Sequence, residues 1–312
     1  MNARLLCVGL TTLDVLARPI DALPTSEGTR LVEEIEVVPA GTAGGVALIA
    51  AKLGVPTALL TAFGDDRPGR FLRMAYAEAG VDLSLVATRA DRRTSATVLA
   101  IDSAGRRPNF HALGASTFTE VSDAATAAVR GMCFVHYGGV GGPRLDGGAG
   151  AALLAAARLA GAIVTCDVIS PGPRARDELA RLLPHVDWFM PSLAEALAIS
   201  GAADARGAAD AFLALGARGC IFKDGAHGSD LWTRGEHAHV PAYAVEVRDT
   251  TSCGDSYCAG FLAALERGSP AREACRFASA TAALVASGLG TLGALTDFAQ
   301  VEAAMARLPL RD

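Results

Sequence analysis

This sequence predicts a mainly parallel β-sheet with helices on both faces and a small second β-sheet lying over it. Three observations predict it. Short apolar runs alternate with Ala/Leu-rich amphipathic stretches along the chain. Two segments of the N-terminal half break that alternation, reading as strands with no helix between them. No repeat, low-complexity linker or shift in composition marks an internal boundary.

The strands of the main sheet are expected at Leu5–Leu10, Thr57–Phe63, Met132–Tyr137, Ala162–Asp167, Val186–Met190, Gly219–Lys223 and Ala244–Val247. Helices are expected between them at Gly44–Leu53, Gly69–Ala79, Ala149–Ala160, Arg174–Leu183, Leu193–Ile199 and Ala205–Leu215. Three more close the chain at Gly254–Glu266, Ala271–Ser287 and Asp297–Ala306. Strands separated by helices in this way pair in parallel, because each crossover returns the chain to the same edge of the sheet. The two exceptions are Thr12–Pro39, where RLVEEIEVVP alternates, and Arg93–Leu113, which reads as a hairpin around Ser103–Gly105. Together they predict one domain, residues 1–312, carrying a lid formed by about 12–39 and 93–113.

Composition narrows the function. With 312 residues the chain can bury about three quarters of its unfolded surface and needs no disulfide or metal to fold. Its 28 basic and 33 acidic side chains give a net charge of −5, with no Lys/Arg run, which argues against nucleic-acid and anionic-membrane partners. A hydrophobic content of 51% with 20% charged residues excludes disorder. Seven scattered cysteines without a C-x-x-C suit a reducing, cytoplasmic setting, and His237 with His239 is too little for a zinc site. The N-terminus reads as a first strand rather than a signal peptide. The uncharged stretch from Phe277 to Thr296 is rich in Ala, Gly, Ser and Thr, and reads as a buried helix with a glycine loop rather than a membrane span.

Chemistry concentrates in AYAVEVRDTTSCGDSYCAGFLAAL. An apolar run ends at Val247, a polar turn follows from Asp249 to Gly254, and Asp255 opens a strong helix. A turn at a helix N-terminus offers unpaired N–H groups and the positive end of the dipole to an anion, and Gly254 permits close approach. A carboxylate beside such a turn can take a proton from an attacking hydroxyl. The alternative is that Ser252 and Asp255 only cap the helix.

These residues resemble the ribokinase/PfkB family of ATP-dependent carbohydrate kinases. That family's D-T-T-G-A-G-D stands here as Asp249-Thr250-Thr251-Ser252-Cys253-Gly254-Asp255, five of seven identical. Its glycine-rich signature stands as Ala40-Gly41-Thr42-Ala43-Gly44-Gly45-Val46-Ala47, leading to Lys52-Leu53-Gly54. Asp14 after the first strand, Phe63–Asp66 and the A-G-V-D of Ala79–Asp82 also fit, so the resemblance runs the length of the chain.

The resemblance implies a ribokinase-like three-layer α/β/α fold and an ATP- and Mg²⁺-dependent kinase for a sugar or sugar-like molecule. Asp255 would be the general base, and the N–H groups of Ser252, Cys253, Gly254 and Asp255 the anion hole. Asp14, Gly41, Thr42 and Gly45 would line the substrate site. ATP would lie against Ser192, Lys223, Gly225, Gly228, Gly254 and Ser279. Glu195 of Ser192-Leu193-Ala194-Glu195 would serve Mg²⁺ through water, and Asp249, Thr251 and Gly290 would frame a K⁺ site. Lid sheets of this type can pair between subunits, which would make a homodimer.

Simpler readings stand beside these. Asp14 could be a turn or cap residue, Glu195 a solvated one, Lys223 an exposed strand end, and His111 a surface residue rather than a substrate contact. A helix N-terminus would lower the pKa of Cys253 and make it sensitive to alkylation. Three departures from the family pattern bear on the substrate. Gly45 replaces an Asn that binds two sugar hydroxyls, Ser192 replaces the Asn of N-x-x-E, and Ser252-Cys253 replaces Gly-Ala. Gly45 would leave room for a larger aglycone, so a nucleoside kinase of the same family is the alternative. A non-catalytic sugar- or nucleotide-binding homologue is a further one, opposed by the intact Asp255 and Glu195. A dinucleotide oxidoreductase is excluded, since Val8-Gly9-Leu10-Thr11-Thr12-Leu13 carries no G-x-G-x-x-G.

Overall fold

The computed structural model describes residues 3–169 and 172–311. β1 (Leu5–Gly9) is buried along its whole length, as a strand covered on both faces must be. Its side chains divide two cores between them. Leu5 and Cys7 pack with one set of helices, Leu6 and Val8 with another.

The chain leaves the main sheet into β2 (Thr12–Arg18) and β3 (Glu34–Ala40), and returns through α1 (Gly44–Lys52) to β4 (Thr57–Leu60). β5 (Ala62–Gly64), α2 (Arg67–Glu78) and β6 (Ala87–Arg89) follow, then the pair β7 (Ala96–Ala100) and β8 (Asn109–Ala112), and α3 (Asp123–Val129). From β9 (Phe134–Gly138) the alternation settles: α4 (Ala149–Leu159), β10 (Ile163–Cys166), α5 (Ala175–Leu182), β11 (Trp188–Phe189), α6 (Leu193–Ser200), α7 (Ala205–Ala214) and β12 (Gly219–Lys223). A hairpin of β13 (Ser229–Thr233) and β14 (His237–Val240) precedes α8 (Cys253–Glu266), α9 (Ala271–Ala286) and α10 (Phe298–Arg307).

The main sheet runs β14-β13-β12-β11-β10-β9-β1-β4. Every pairing from β4 to β12 is parallel, and only the β12-β13-β14 edge is antiparallel. Strand order reverses at β1, between β4 and β9, and the crevice beyond the carboxyl ends at such a point is where open α/β sheets bind ligands.

A second sheet runs β3-β2-β7-β8. Its inner face buries Leu16, Leu99 and Ile101, with Leu289 of the loop after α9 packed against them. Thr291 Oγ1 donates to the Pro39 carbonyl at 2.6 Å, fastening β3 to that loop. On the outer face Val37, Val15, Val98 and Phe110 form one cross-strand row. Phe110 is 70% exposed and Val98 51%.

The structure corrects the expected edge of the main sheet. Residues Ala244–Val247 form no strand; the preceding Tyr243 makes an isolated bridge to Leu310, and Val245 and Val247 line the cleft described below. The sheet edge is instead the β13–β14 hairpin, whose outward His237 and His239 interrupt the apolar pattern that marks a strand. The uncharged Phe277–Thr296 stretch divides between α9, which ends at Ala286, and glycine-rich turns. Among the described residues no helix is long and apolar enough to cross a membrane.

Candidate active site

The carboxyl ends of β10, β11 and β12 and the start of α8 surround a cleft of about 530 Å³. Asp14 is not among the residues that line this cleft; it lies on β2, 6% exposed, so it is a strand residue rather than a turn or cap. Burial raises its pKa, against hydrogen bonds from Thr97 and Thr12 that lower it. Its Oδ1 has no hydrogen-bond partner among the described residues. Thr97 Oγ1 also meets Thr12 Oγ1 at 3.1 Å and His111 Nδ1 at 3.0 Å, which ties His111 of β8 into the same polar group. A buried carboxylate oxygen left open in this way is an acceptor for a hydroxyl.

The glycine-rich turn contributes unequally. Thr42 lines the cleft and donates from Oγ1 to the Gly138 carbonyl at 2.6 Å. Gly41, at φ +100°, lies against the Leu10–Thr11 backbone, where a β-carbon would stand 2.7 Å from the Leu10 carbonyl oxygen. Gly45 does not open space for an aglycone. A β-carbon there would stand 2.7 Å from Asp255 Oδ2, so the volume is already taken by that carboxylate.

The turn before α8 is built by Asp249. Its Oδ1 accepts from Thr251 N at 2.8 Å and Thr251 Oγ1 at 2.7 Å, and its Oδ2 from Gly290 N at 2.9 Å. Asp249, Thr251 and Gly290 therefore do come together. Asp249 is 1% exposed with no cationic side chain within 4.0 Å among the described residues. Ser252 follows at φ +54°, a left-handed conformation that glycine reaches without strain. No side chain caps the helix, so the capping alternative fails. Cys253 N donates to the Thr250 carbonyl at 3.3 Å, while the N–H groups of Ser252, Gly254 and Asp255 make no hydrogen bond among the described residues. They remain available to an anion.

Asp255, in the first turn of α8, has its pKa pushed up to about 7. Burial is the main cause and the nearby Asp167 carboxylate adds to it, while Lys223, Ser252 and Arg107 oppose the shift. Cys253 is not a low-pKa thiol, because burial pushes it up to about 12 against the pull of Arg107. The helix dipole falls off within a turn and cannot match that desolvation.

Lys223 ends β12 but is not a plain exposed strand end. Its Nζ meets Asp167 Oδ2 at 2.5 Å and Cys258 Sγ at 3.7 Å. Burial pulls its pKa down, yet the Asp167 carboxylate prevails and keeps it protonated. Its ammonium also lies beneath the turn, 3.3 Å from where a β-carbon on Gly254 would stand. Ser192 and Glu195 form a capping box on α6. Ser192 N and Oγ donate to Glu195 Oε2 at 3.0 and 2.6 Å, and Glu195 N donates back to Ser192 Oγ at 3.2 Å. Both line the cleft, so Glu195 is held in place rather than simply solvated. Gly225, Gly228 and Ser279 line its far end, where Ala282, Ala283 and Ala286 of α9 supply an apolar wall.

Among the cleft residues that no sequence motif marked are Asp167 and Arg107. Asp167 directly follows β10, and its place at a strand's carboxyl end was a usable signal. Arg107 offered none, since it reaches the cleft from the β7–β8 turn of the other sheet.

Residues 2–297 match the family model of the pfkB family carbohydrate kinases, and the chain belongs to that family. A nucleoside kinase of Methanothermobacter thermautotrophicus is 27% identical over 293 residues, 92% of this chain and 90% of that protein. A fructokinase of Klebsiella pneumoniae is 31% identical over 257 residues, 79% of this chain and 81% of that protein. The structure of Arabidopsis thaliana ribokinase complexed with ribose and ATP superposes with a TM-score of 0.81 at 25% identity, covering 98% of this chain and 99% of the other. The fold is ribokinase-like, and the protein is a kinase of this carbohydrate-kinase class.

Proposed function

We propose that this protein transfers the γ-phosphoryl group of ATP to a hydroxyl of a sugar or sugar-like molecule, with Asp255 as general base. The observation that carries the reading is the first turn of α8. It sets a carboxylate whose pKa is raised to about 7 beside three unpaired backbone N–H groups, all at the edge of one cleft. The base removes a proton from the acceptor hydroxyl while the N–H groups and the helix dipole stabilise charge on the transferring group. Asp14, with its open Oδ1, holds the acceptor, together with Thr42. The purine lies against Ala282, Ala283 and Ala286 near Ser279, and the phosphates reach Lys223 and Gly254 past Gly225 and Gly228.

Magnesium keeps several waters and binds through one or two carboxylates plus substrate phosphates, so a three-carboxylate cage is not required. Glu195, fixed by its capping box at the cleft, fits that role through water. When bound, the ion neutralises triphosphate charge. Asp249 is a buried carboxylate with neutral donors only, which suits a K⁺ ion held between the turn and the loop near Gly290. The small sheet acts as a lid that excludes water from the acceptor side. Its exposed outer row, Val37, Val98 and Phe110, suits a homodimer formed lid to lid, which sedimentation of Phe110→Glu against wild type tests. Seven unpaired cysteines suit a cytoplasmic setting.

The test is ADP release over pentoses, hexoses, sugar acids and nucleosides with Mg²⁺ and K⁺, in wild type and Asp255→Asn. Turnover on one acceptor, lost by several powers of ten in the variant, supports the reading; turnover on nucleosides alone moves it to the nucleoside-kinase alternative. A silent panel with ligand-induced stabilisation points to a binding homologue, and near-normal turnover in Asp255→Asn overturns the assigned base.

A further inference from the structure

The β7–β8 turn is more than a connection between lid strands. Asp102 organises it: Oδ1 accepts from Ala104 N at 3.0 Å and Arg106 N at 2.8 Å, and Oδ2 accepts from Arg106 Nε at 2.6 Å. The turn then reaches across to the other half of the molecule. A β-carbon on Gly105 would lie 3.7 Å from Val247 Cγ1, and Arg107 Nε donates to Thr250 Oγ1 at 3.0 Å. The two adjacent arginines differ in kind. Arg106 is committed to Asp102, whereas Arg107 pairs with no carboxylate among the described residues. Its Nη groups, four of the five N–H donors of a guanidinium, make no hydrogen bond among the described residues. Its charge lowers the pKa of Asp14 and of Asp255, so it stands within reach of both the acceptor side and the base. It lines the same cleft as Ser252, Gly254 and Lys223.

We propose that Arg107 is a catalytic residue carried in by the lid, its open guanidinium edge bonding the γ-phosphoryl oxygens of ATP before and during transfer. The inference rests on the reading of Asp255 and the turn as a phosphoryl-transfer site. In the step itself the acceptor oxygen bonds to the γ-phosphorus, the bond from that phosphorus to the β,γ-bridging oxygen breaks, ADP departs, and the acceptor proton goes to Asp255. Arg107 gives up no proton. Its fixed charge enters the cleft from the small sheet, whereas Lys223 and the α8 turn belong to the main body, and a planar fork suits a phosphoryl group better than an ammonium does. Because the turn belongs to the small sheet, the site is complete only when that sheet is seated, which couples water exclusion to catalysis.

The experiment compares wild type, Arg107→Ala and Arg107→Lys in two assays. In steady-state kinetics with the acceptor that wild type turns over, Arg107→Ala should lose about 100- to 1,000-fold in kcat. Its acceptor KM and thermal midpoint should stay close to wild type, added guanidinium should restore part of the rate, and Arg107→Lys should fall between. In calorimetry, wild type should bind ATPγS more tightly than ADP, and Arg107→Ala should lose that preference. A raised acceptor KM with kcat kept would mean that Arg107 reads the acceptor, and would overturn the proposal. So would an unchanged preference for ATPγS. If wild type turns over no acceptor, the reading of the function fails, yet the nucleotide preference still decides whether Arg107 touches the γ-phosphoryl group.

Discussion

The α-carbon of Gly45 is packed against the carboxylate of Asp255: a β-carbon there would stand 2.7 Å from Oδ2 and 3.1 Å from Cγ. A backbone atom of α1 thus serves as the wall on which the proposed base rests. Gly45→Ala, and more so Gly45→Asn, should push the base aside and lower kcat about 100-fold, the scale of a displacement near 1 Å. Restoring the family's Asn is therefore expected to harm this enzyme. Steady-state kinetics of the two variants checks it, and unchanged turnover in Gly45→Asn would show that Asp255 does not depend on this wall.

The pH dependence follows from Asp255 and Lys223. A base works ionised, so with its pKa pushed up to about 7 the value of kcat/KM should rise with pH through that region and level off above it. Lys223 lowers the pKa of Asp255, so Lys223→Met should move the midpoint upward. The same variant strands Asp167, whose side chain is 4% exposed, without its cation. Removing one partner of such a buried pair costs about 3–5 kcal/mol, and Asp167→Leu/Lys223→Met should recover most of it in denaturant titrations. A pH–rate profile flat from pH 5 to 9 would argue against Asp255 as the titrating group.

Ser252 holds φ +54° where a glycine would be unstrained. Ser252→Gly relieves that strain while loosening the unfolded chain, and the first effect should win by about 1 kcal/mol. The proposed anion hole uses backbone at this position, so turnover should survive. Calorimetric melting with parallel kinetics checks both halves; a less stable Ser252→Gly would mean that the hydroxyl, not the backbone, matters here.

His136 on β9 predicts acid sensitivity. It is fully buried, hydrogen-bonded to Thr165 Oγ1 at 2.9 Å, and burial together with Lys223 lowers its pKa to about 3. The unfolded chain takes up a proton at an ordinary histidine pKa, while the folded one does not. Stability is therefore lost as pH falls from about 6.5 toward 3, at about 1.4 kcal/mol per pH unit from this residue. Urea midpoints of His136→Gln should fall less steeply with pH than those of wild type.

Much of the fold was legible in one dimension. β1 reads as a buried strand because LLCVG is apolar throughout, and α8 as a helix because CGDSYCAGFLAAL is rich in Ala and Leu, its one interior glycine, Gly260, lying where a β-carbon would meet Thr281 of α9 at 2.6 Å. Asp255 was legible because its meaning is local: a carboxylate in the first turn of a helix, behind a polar turn with glycine. Glu195 was legible too, three residues after Ser192, and the capping box explains that spacing. The β13–β14 hairpin was missed because His237 and His239 face outward from a sheet edge, and Val245 and Val247 misled because their apolar side chains serve a cleft instead of a core.

The sequence by itself determined the strand and helix order, the kinase family, and the residues at one helix N-terminus, all set by chain neighbours through periodicity, turn chemistry and the helix dipole. Only the tertiary structure decided what each of those residues meets. It seated Asp255 on Gly45, paired Lys223 with Asp167, half-buried Cys253 so that desolvation raises its thiol pKa, and brought Arg107 from the small sheet to Thr250. Desolvation and Coulomb energies depend on distance through space, and residues more than 140 positions apart in sequence, such as Arg107 and Thr250, acquire a distance only when the chain closes on itself.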